Sequence, residues 1–454
     1  CESRRETPMR WEQKVQYATI SDIGMRRKNN QDSAAVQLCA DHEIWSQYGH
    51  LFIVADGMGG HAVGELASKI AVDTIPLAFF KSRADDAQKA LLAAIENSNA
   101  AIHERGTQNE DFKRMGTTCV ALVLSPQGAI TGHVGDSRIY RIRDDRIEQL
   151  TFDHSLHWEL ERAGRLKPGD VFLPEAKHVI TRSLGPEPSV QVDINGPHPV
   201  LPGDRFVLCS DGLTGHLKDS EIGMIVRDLP IAESSKLLVN LANLRGGSDN
   251  VTVIVVEASK TAASAENDSQ TSTAVRPRNT STMGPFWTLA FWVTIVVMIL
   301  GAIMLATHRY FAGGIVAGCA LVSFIVLMWQ RTAARNANTS ESSDATIHAQ
   351  TYRMASARTS KEFMAGIAKI ERELHRIANE EGWDIDWPTH ANSITAAREA
   401  LDKKQTRKAM SEMGKAIEVL VVGLHAHRKR IRSTHISSQS GSTEASNGKD
   451  DGLA

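Results

Sequence analysis

The first half of this sequence lacks the residue groupings that define several common classes of protein. Only 5 cysteines occur in 454 residues, and none has the spacing of a zinc site or a disulfide framework. The net charge is −2, and no basic cluster in the first half is large enough for a nucleic-acid partner. Because Cys39, Cys119 and Cys209 lie in apolar, strand-like runs, we expect buried thiols in a reducing compartment.

The length of the chain predicts more than one region, and the first is an enzyme-sized domain. Residues 1–14 are polar and are expected to form a loose arm. Residues 15–257 alternate short apolar runs with turn residues and a few helical stretches, the longest at 63–80 and 85–107. Strands occur in runs and helices mostly in pairs, which favours an α+β fold over a βαβ repeat. We therefore expect a four-layer αββα sandwich: two antiparallel sheets stacked face to face and flanked by helices.

Two apolar stretches follow this domain. Residues 258–285 are rich in Ser, Thr and Ala, which predicts a flexible linker. Residues 286–306 and 311–329 carry no charge, and each stretch is long enough to cross a bilayer. Arginines flank the outer ends, whereas Arg309 alone lies in the connecting turn. The positive-inside rule then predicts a two-span hairpin in the cytoplasmic (inner) membrane with both termini cytoplasmic. A buried helical hairpin is the alternative.

The last part of the chain is predicted to contain a linker (330–360), a helical region (361–432) and a disordered tail (433–454). Its apolar residues recur at alternating steps of four and three along two seams, which are Phe363, Ile367, Ile370, Leu374 and Ile377, and Met410, Met413, Ile417, Leu420 and Leu424. Such seams predict helices that pack on each other or on a partner. A small helical bundle is the simpler hypothesis, and docking of a protein partner is the alternative. The basic run at 428–432 predicts a solvated helix end or a contact with anionic lipid.

Acidic turns concentrate the chemistry in the first domain. Five aspartates lie at or beside the ends of predicted strands: Asp32, Asp56, Asp136, Asp211 and Asp249. Each is compatible with a plain turn, because Asp, Asn and Gly are turn formers. Carboxylates that converge repel one another unless cations lie between them, so five such positions in one domain predict a divalent-metal site. Histidines with ligand spacing are missing, which favours Mg²⁺ or Mn²⁺ over Zn²⁺.

Six motifs carry a resemblance to a known family. In chain order they are Gly-Met-Arg-Arg-Lys-Asn-Asn-Gln-Asp at 24–32, Asp-Gly-Met-Gly-Gly-His at 56–61, Gly-Asp-Ser-Arg at 135–138, Ile-Thr-Arg-Ser-Leu-Gly at 180–185, Ser-Asp-Gly at 210–212 and Asp-Asn at 249–250. Over about residues 15–257 the chain resembles the bacterial type 2C metal-dependent Ser/Thr protein phosphatases (the PPM family). Any one motif would be weak, whereas six in order are specific.

The resemblance implies a set of metal ligands. Asp56 would bridge two Mn²⁺ or Mg²⁺ ions, with the carbonyl of Gly57 on the first ion. Asp211 and Asp249 would complete the site of the second ion. Asp136 would contribute, with Asp211, to a looser third site seen in many bacterial members.

The resemblance also implies a reaction, in which hydroxide shared by the two ions attacks phosphorus directly and no phosphoenzyme forms. Asp32 would orient this nucleophile through metal-bound water. Arg27 would hold two phosphate oxygens with its planar guanidinium, and a plain surface arginine is the alternative. Animal members have a histidine, proposed as the general acid, where this chain has Met58, as in the bacterial branch. That departure leaves the general acid open, with metal-bound water as the favoured candidate.

The expected partners are phosphoprotein substrates and the membrane, without nucleic acid, and a protein partner is the alternative for the helical tail. A non-catalytic scaffold that binds phosphoproteins is a competing hypothesis. It is disfavoured because no expected carboxylate is missing. A membrane receptor whose tail senses a partner and regulates the phosphatase is a third hypothesis.

Overall fold

The computed structural model of this chain describes residues 15–59, 61–165, 179–258 and 352–446. The predicted arm at 1–14, the linker at 259–285 and both predicted spans, at 286–306 and 311–329, lie outside these residues. Among the helices that are described, none combines the length and the apolar character needed to cross a bilayer.

Two antiparallel sheets form the centre of the fold. The first sheet has the order β1-β11-β10-β7-β8-β12, and the second has β2-β3-β5-β6-β9 with β4 paired to β3. The strands of the first sheet are β1 (Val15–Asp22), β7 (Arg138–Arg143), β8 (Arg146–Gln149), β10 (Arg205–Cys209), β11 (Val251–Ala258) and β12 (Arg353–Ser356). Those of the second are β2 (Asp32–Gln37), β3 (His50–Met58), β4 (Gly116–Thr117), β5 (Cys119–Ser125), β6 (Gly128–Val134) and β9 (Asp193–His198).

Helices cover the outer face of each sheet. Those in the predicted enzyme domain are α1 (His42–Tyr48), α2 (His61–Phe80), α3 (Ala87–Thr107), α4 (Leu156–Arg162), α5 (Asp211–Thr214), α6 (Asp219–Asp228) and α7 (Ile231–Leu244). Those after the second gap are α8 (Lys361–Glu380), α9 (Trp387–Asp402) and α10 (Thr406–Ser446). The long α2 and α3 begin within two residues of their predicted starts, because their apolar residues recur at helical spacing.

Three apolar layers hold the sheets and helices together. Phe52 and Leu122 of the second sheet meet Phe206 and Ile254 of the first in a fully buried inter-sheet core. Apolar side chains of α2 and α3 pack on the outside of the second sheet, and those of α6 and α7 on the outside of the first. Two antiparallel sheets flanked by helices are therefore present, as the sequence predicts. Cys39, Cys119 and Cys209 are buried free thiols, as expected.

The segment after the second gap is part of this same folded unit. Residues Arg353–Ser356, which the sequence assigns to a linker, form β12 and pair with β8. Phe363 and Ile367 of α8 and Ile417 of α10 are buried in the same apolar cluster as α6 and α7. The residues predicted as a helical region at 361–432 therefore pack against the catalytic domain, and the predicted linker at 330–360 includes a strand. A pattern of apolar residues shows that a face will be covered, but it does not show by what.

The length of α10 also differs from the prediction. Its described backbone continues to Ser446, whereas the sequence predicts disorder from residue 433. The helix starts in a packed core, so the costly nucleation step is already made and each further residue needs only to propagate it. Residues 433–446 are rich in Ser and Thr, so their own helix propensity does not account for the extension.

Candidate active site

Asp32 and Asp56 lie side by side at one end of the second sheet. They are directly opposite each other in the register of β2 and β3. Ser210, which follows β10 of the first sheet, donates a 2.8 Å hydrogen bond from Oγ to Oδ2 of Asp32. The backbone N–H of Asp56 donates to Oγ1 of Thr118 at 3.0 Å. The two carboxylates therefore lie where the ends of both sheets meet.

The other three aspartates reach the same place from neighbouring strand ends. Asp211 begins α5 directly after β10, Asp249 precedes β11, and Asp136 lies in the turn between β6 and β7. Strands β10 and β11 are paired, so Asp211 and Asp249 lie at adjacent strand ends. The turns are in close contact, because a Cβ on Gly212 would lie 2.0 Å from the carbonyl oxygen of Asn250. Only glycine fits there.

The electrostatics of the five carboxylates shows that they share one site. Burial raises the pKa of Asp56 well above its usual value, and repulsion from Asp32, Asp211, Asp136 and Asp249 raises it further. Burial also raises the pKa of Asp32 to about 7, against hydrogen bonds from Thr252 and Ser210 that lower it. The five aspartates that the sequence singles out therefore interact with one another in the folded chain.

Two carboxylate oxygens in this cluster suit a cation. Oδ1 of Asp32 and Oδ1 of Asp136 are buried, and neither has a hydrogen-bond partner among the described residues. Burial raises the pKa of Asp136 to about 8, with repulsion from Asp211 as the next cause. Buried acceptors without donors, among five converging carboxylates, match the oxygen-only preference of Mg²⁺ and Mn²⁺. The donor set therefore fits the predicted metals.

Arg27 lies at the rim of the carboxylate cluster. Its Nη2 is 2.6 Å from Oδ2 of Asp249, and 46% of its side chain is exposed. The loop that carries Arg27 is held by the buried Asn250, whose Nδ2 donates to the carbonyls of Ile23 and Asn29 at 2.9 and 3.0 Å. Oδ1 of Asn250 accepts from the N–H of Gln31 at 2.9 Å. One amide thus fixes both ends of the loop and directs Arg27 to the carboxylates.

Gly57 is required by close backbone packing. A Cβ at this position would lie 2.0 Å from the carbonyl oxygen of Gly64, and the N–H of Gly57 donates to the carbonyl of Gln31 at 3.1 Å. Met58 ends β3 one residue later and is half-buried. Its thioether has no proton to donate, so this position supplies no general acid.

Sequence reasoning missed several residues that support the site. Ser210 donates a hydrogen bond to Asp32, and Asn250 holds the loop that carries Arg27. From the sequence these two residues are recognised only as members of the Ser-Asp-Gly and Asp-Asn motifs, with no role of their own. A third support is the buried ion pair of Arg138 and Asp153, with Nη2 and Oδ2 2.6 Å apart, directly beyond Asp136. The signal for Asn250 was a polar residue at the start of a continuously apolar strand, where burial requires hydrogen-bond partners.

Protein stripped of metal is expected to lose stability as the pH rises. The folded-state pKa values of Asp32 and Asp136, about 7 and about 8, lie above the usual 3.8. The contribution of these two groups to the free energy of unfolding is fully present below about pH 4 and is lost as the pH rises through 7 to 8. We therefore expect a lower melting temperature at pH 8 than at pH 5, measured by circular dichroism. Mn²⁺ should raise the melting temperature more at pH 8, since cations bind ionised carboxylates.

Asp136→Asn provides the control for this pH dependence. It removes one of the carboxyl groups whose pKa is raised, so the fall in melting temperature between the two pH values should become smaller in metal-free protein. An unchanged fall would contradict the assignment of the pH dependence to this cluster.

Comparison with known proteins agrees with the site. Residues 26–236 match the family model described as protein phosphatase 2C. Protein phosphatase PhpP of Streptococcus pneumoniae serotype 2 is 38% identical over 246 residues, which cover 53% of this chain and 97% of that protein. The serine/threonine phosphatase stp of Listeria innocua is 34% identical over 242 residues, which cover 52% of this chain and 93% of the relative. This chain belongs to the protein phosphatase 2C family and is a phosphoprotein phosphatase.

Two solved structures of bacterial phosphatases are similar to about half of the chain. The crystal structure of the Mycobacterium tuberculosis serine/threonine phosphatase PstP/Ppp is 32% identical, with a TM-score of 0.48, and covers 54% of this chain and 100% of its own. A structure of the PstP catalytic domain, described as in complex with 2 manganese ions, is 34% identical, with a TM-score of 0.46, and covers 54% of this chain and 99% of its own. The predicted use of Mn²⁺ or Mg²⁺ agrees with the family assignment.

Proposed function

We propose that this chain is a Mn²⁺- or Mg²⁺-dependent Ser/Thr phosphatase that hydrolyses phosphoserine and phosphothreonine in proteins, tethered to the cytoplasmic membrane. The observation that carries the catalytic part is the convergence of five acidic side chains, with Arg27 at their rim. Cations balance the carboxylates, and a phosphate monoester brought by Arg27 would lie directly against them. The site is thus suited to a doubly negative phosphate ester, which would need both the cations at the carboxylate cluster and the guanidinium of Arg27 to bind.

The proposed metal ligands are the residues that the family resemblance implies. Asp56 and the carbonyl of Gly57 would hold the first ion, Asp56, Asp211 and Asp249 the second, and Asp136 with Asp211 a third. When bound, divalent cations neutralise the cluster and supply an activated water as nucleophile. These side chains are positioned by strand ends of a packed sandwich rather than by long loops, which favours a preorganised site.

The chain's own residues perform the remaining tasks. The Asp32 carboxylate, held at Oδ2 by Ser210, orients the attacking water by accepting its hydrogen bond. The Arg27 guanidinium binds two phosphate oxygens and turns the phosphorus toward that water. The leaving Ser/Thr oxygen takes its proton from solvent in the site, because Met58 has none to give. Because the phosphoryl group is transferred directly to water, the reaction needs no nucleophilic side chain.

The membrane tether is supported by the amino-acid sequence. Residues 286–306 and 311–329 have the length and lack of charge of bilayer spans, and arginines flank their outer ends. If the spans are formed, the full chain should remain with the membrane pellet after alkaline carbonate extraction. Release into the supernatant would contradict the tether and leave the catalytic proposal intact.

A metal-dependence assay tests the catalytic proposal. The purified full chain should release phosphate from a phosphothreonine peptide with Mn²⁺, and it should lose this activity in excess chelator. Asp211→Asn should remove turnover, whereas Asp85→Asn, an exposed residue outside the site, should not. Folded wild-type protein that binds the peptide but shows no metal-stimulated turnover would favour the scaffold hypothesis instead.

Arg27→Ala should raise KM for phosphopeptide about 10- to 100-fold while changing kcat less. This range follows from the loss of charge-assisted hydrogen bonds worth about 1.5–3 kcal/mol. Steady-state kinetics at saturating Mn²⁺ measures it, with the exposed Arg83→Ala as the matched control. An unchanged KM would show that Arg27 does not hold phosphate.

A further inference from the structure

The segment after the second gap is fixed to the catalytic sheet at its start. Arg353 opens β12 opposite Gln149 of β8, which itself pairs with Tyr140 of β7. The guanidinium carbon of Arg353 is 3.9 Å from the ring centroid of Trp158 in α4, and its Nη2 is 2.8 Å from Oε2 of Glu161. Cation–π and ionic contacts together anchor this entry point beside the catalytic domain.

The same segment is fixed a second time by α10. Nζ of Lys236 in α7 lies 2.7 Å from Oε1 of Glu418 in α10. Ile417 and Val421 of α10 are buried in the apolar cluster that α7 and the first sheet share. Position 428 is eleven residues after 417, about three helical turns, and therefore lies on the same face of α10. The packed core thus sets where Arg428 points.

Arg428 meets the loop that carries Arg27. Its Nη2 donates to the carbonyl oxygen of Met25 at 3.0 Å, and its Nη1 contacts Sδ of the same residue at 2.7 Å. On the other side, the N–H of Met25 donates to the carbonyl of Gly247 at 2.8 Å. A Cβ on Gly247 would lie 2.7 Å from Cγ of Met25, so the packing is tight. The Met25 turn is therefore held between Gly247 and Arg428, two residues before Arg27.

We propose that Arg428 is a positioning residue for the phosphatase reaction, through which the C-terminal segment holds the Arg27 loop in its phosphate-binding arrangement. This proposal rests on the proposed function. Its physical basis is that the cationic guanidinium holds the loop backbone at a carbonyl, from a helix whose place is fixed by the core. The family model matches residues 26–236, so Arg428 belongs to a part of the chain outside that match.

Kinetics of the full chain test the proposal, with p-nitrophenyl phosphate and Mn²⁺ as the probe. Arg428→Ala should raise KM about fivefold, with kcat and melting temperature little changed. A fivefold change is of the size expected when the interaction between two neighbouring residues is lost. Arg428→Lys, which keeps a donor for the Met25 carbonyl, should recover most of the loss. Lys429→Ala removes the same charge from an exposed neighbour and should leave KM unchanged.

A double-mutant cycle separates positioning from a general effect. In an Arg27→Ala background, Arg428→Ala should add little, because the residue it positions is gone. An equal rise in KM in both backgrounds, or no difference between Arg428→Ala and Lys429→Ala, would overturn the proposal.

A measurement that needs no turnover keeps the two proposals distinct. Amide hydrogen exchange in residues 24–30 should be faster in Arg428→Ala than in Lys429→Ala, because the Met25 turn loses its contacts with Arg428 and keeps only those on its other side. Wild-type protein without Mn²⁺-dependent hydrolysis would contradict the proposed function, and exchange rates would still test the contact. Equal exchange in the two variants would overturn the positioning role whatever the activity.

Discussion

Asp56→Asn in the full chain should lower kcat at least about 100-fold and, in metal-free protein, raise the melting temperature. The loss of activity follows because Asp56 is proposed to be a ligand of two metal ions. Substitution of a residue that only supports a metal ligand typically lowers metal affinity or activity about 10–100-fold, so loss of a ligand itself should cost at least as much. The gain in stability follows because burial, and after it the repulsion from four other acidic groups, raises the pKa of Asp56. A neutral amide of the same shape removes that repulsion.

The two effects are measured separately. Phosphate release with Mn²⁺ gives kcat, and thermal unfolding in chelator gives stability at pH 8, where the repulsion is largest. Asp73→Asn is the matched control, because this exposed carboxylate lies outside the site and pairs with Lys69 across one helical turn. Variant protein that is inactive and also less stable than wild type without metal would show that Asp56 serves the fold rather than the ions.

Ile417→Ala should lower the free energy of unfolding of the whole catalytic domain by about 2–5 kcal/mol, the usual cost of emptying a buried aliphatic site. Ile417 of α10 is fully buried in a cluster that includes Leu237 of α7 and Val255 of β11. Since the cluster is shared, the tail and the phosphatase domain should unfold in one cooperative transition in urea, followed by circular dichroism.

Val422→Ala gives the control for this prediction. Val422 lies in the same helix, but 64% of its side chain is exposed, so its truncation should change stability by less than about 0.5 kcal/mol. Two separate transitions, or equal effects of the two substitutions, would show that the tail folds independently of the enzyme.

Much of the fold could be predicted from local patterns. The helices α2 and α3 are predicted close to their observed limits, because helical spacing of apolar residues is a property of neighbouring residues. The order of six turns also predicts which aspartates share a site. The short strands β8, β9 and β12 were not predicted. Their few residues carry too little pattern, and their hydrogen bonds come from strands distant in sequence.

The role of the C-terminal segment could not be predicted for the same reason. The seams that contain Ile367 and Ile417 look identical whether they cover each other, a partner or another part of the chain. The structure shows that they are covered within the chain, which leaves these faces closed to the protein partner considered from the sequence. The contact between Arg428 and Met25 joins residues 403 positions apart, far beyond the reach of any local pattern.

The return of the chain as β12 has a consequence for the order of synthesis. Strand β11 ends at Ala258, and the next strand of the same sheet in the described part of the chain, β12, begins at Arg353. A ribosome must therefore produce both apolar stretches at 286–329 before it produces the residues that close the edge of β8 and fill the cluster around α7. The core of the enzyme is therefore completed only after the predicted membrane anchor has been translated. A nascent chain that still lacks the two apolar stretches also lacks the residues that complete this core.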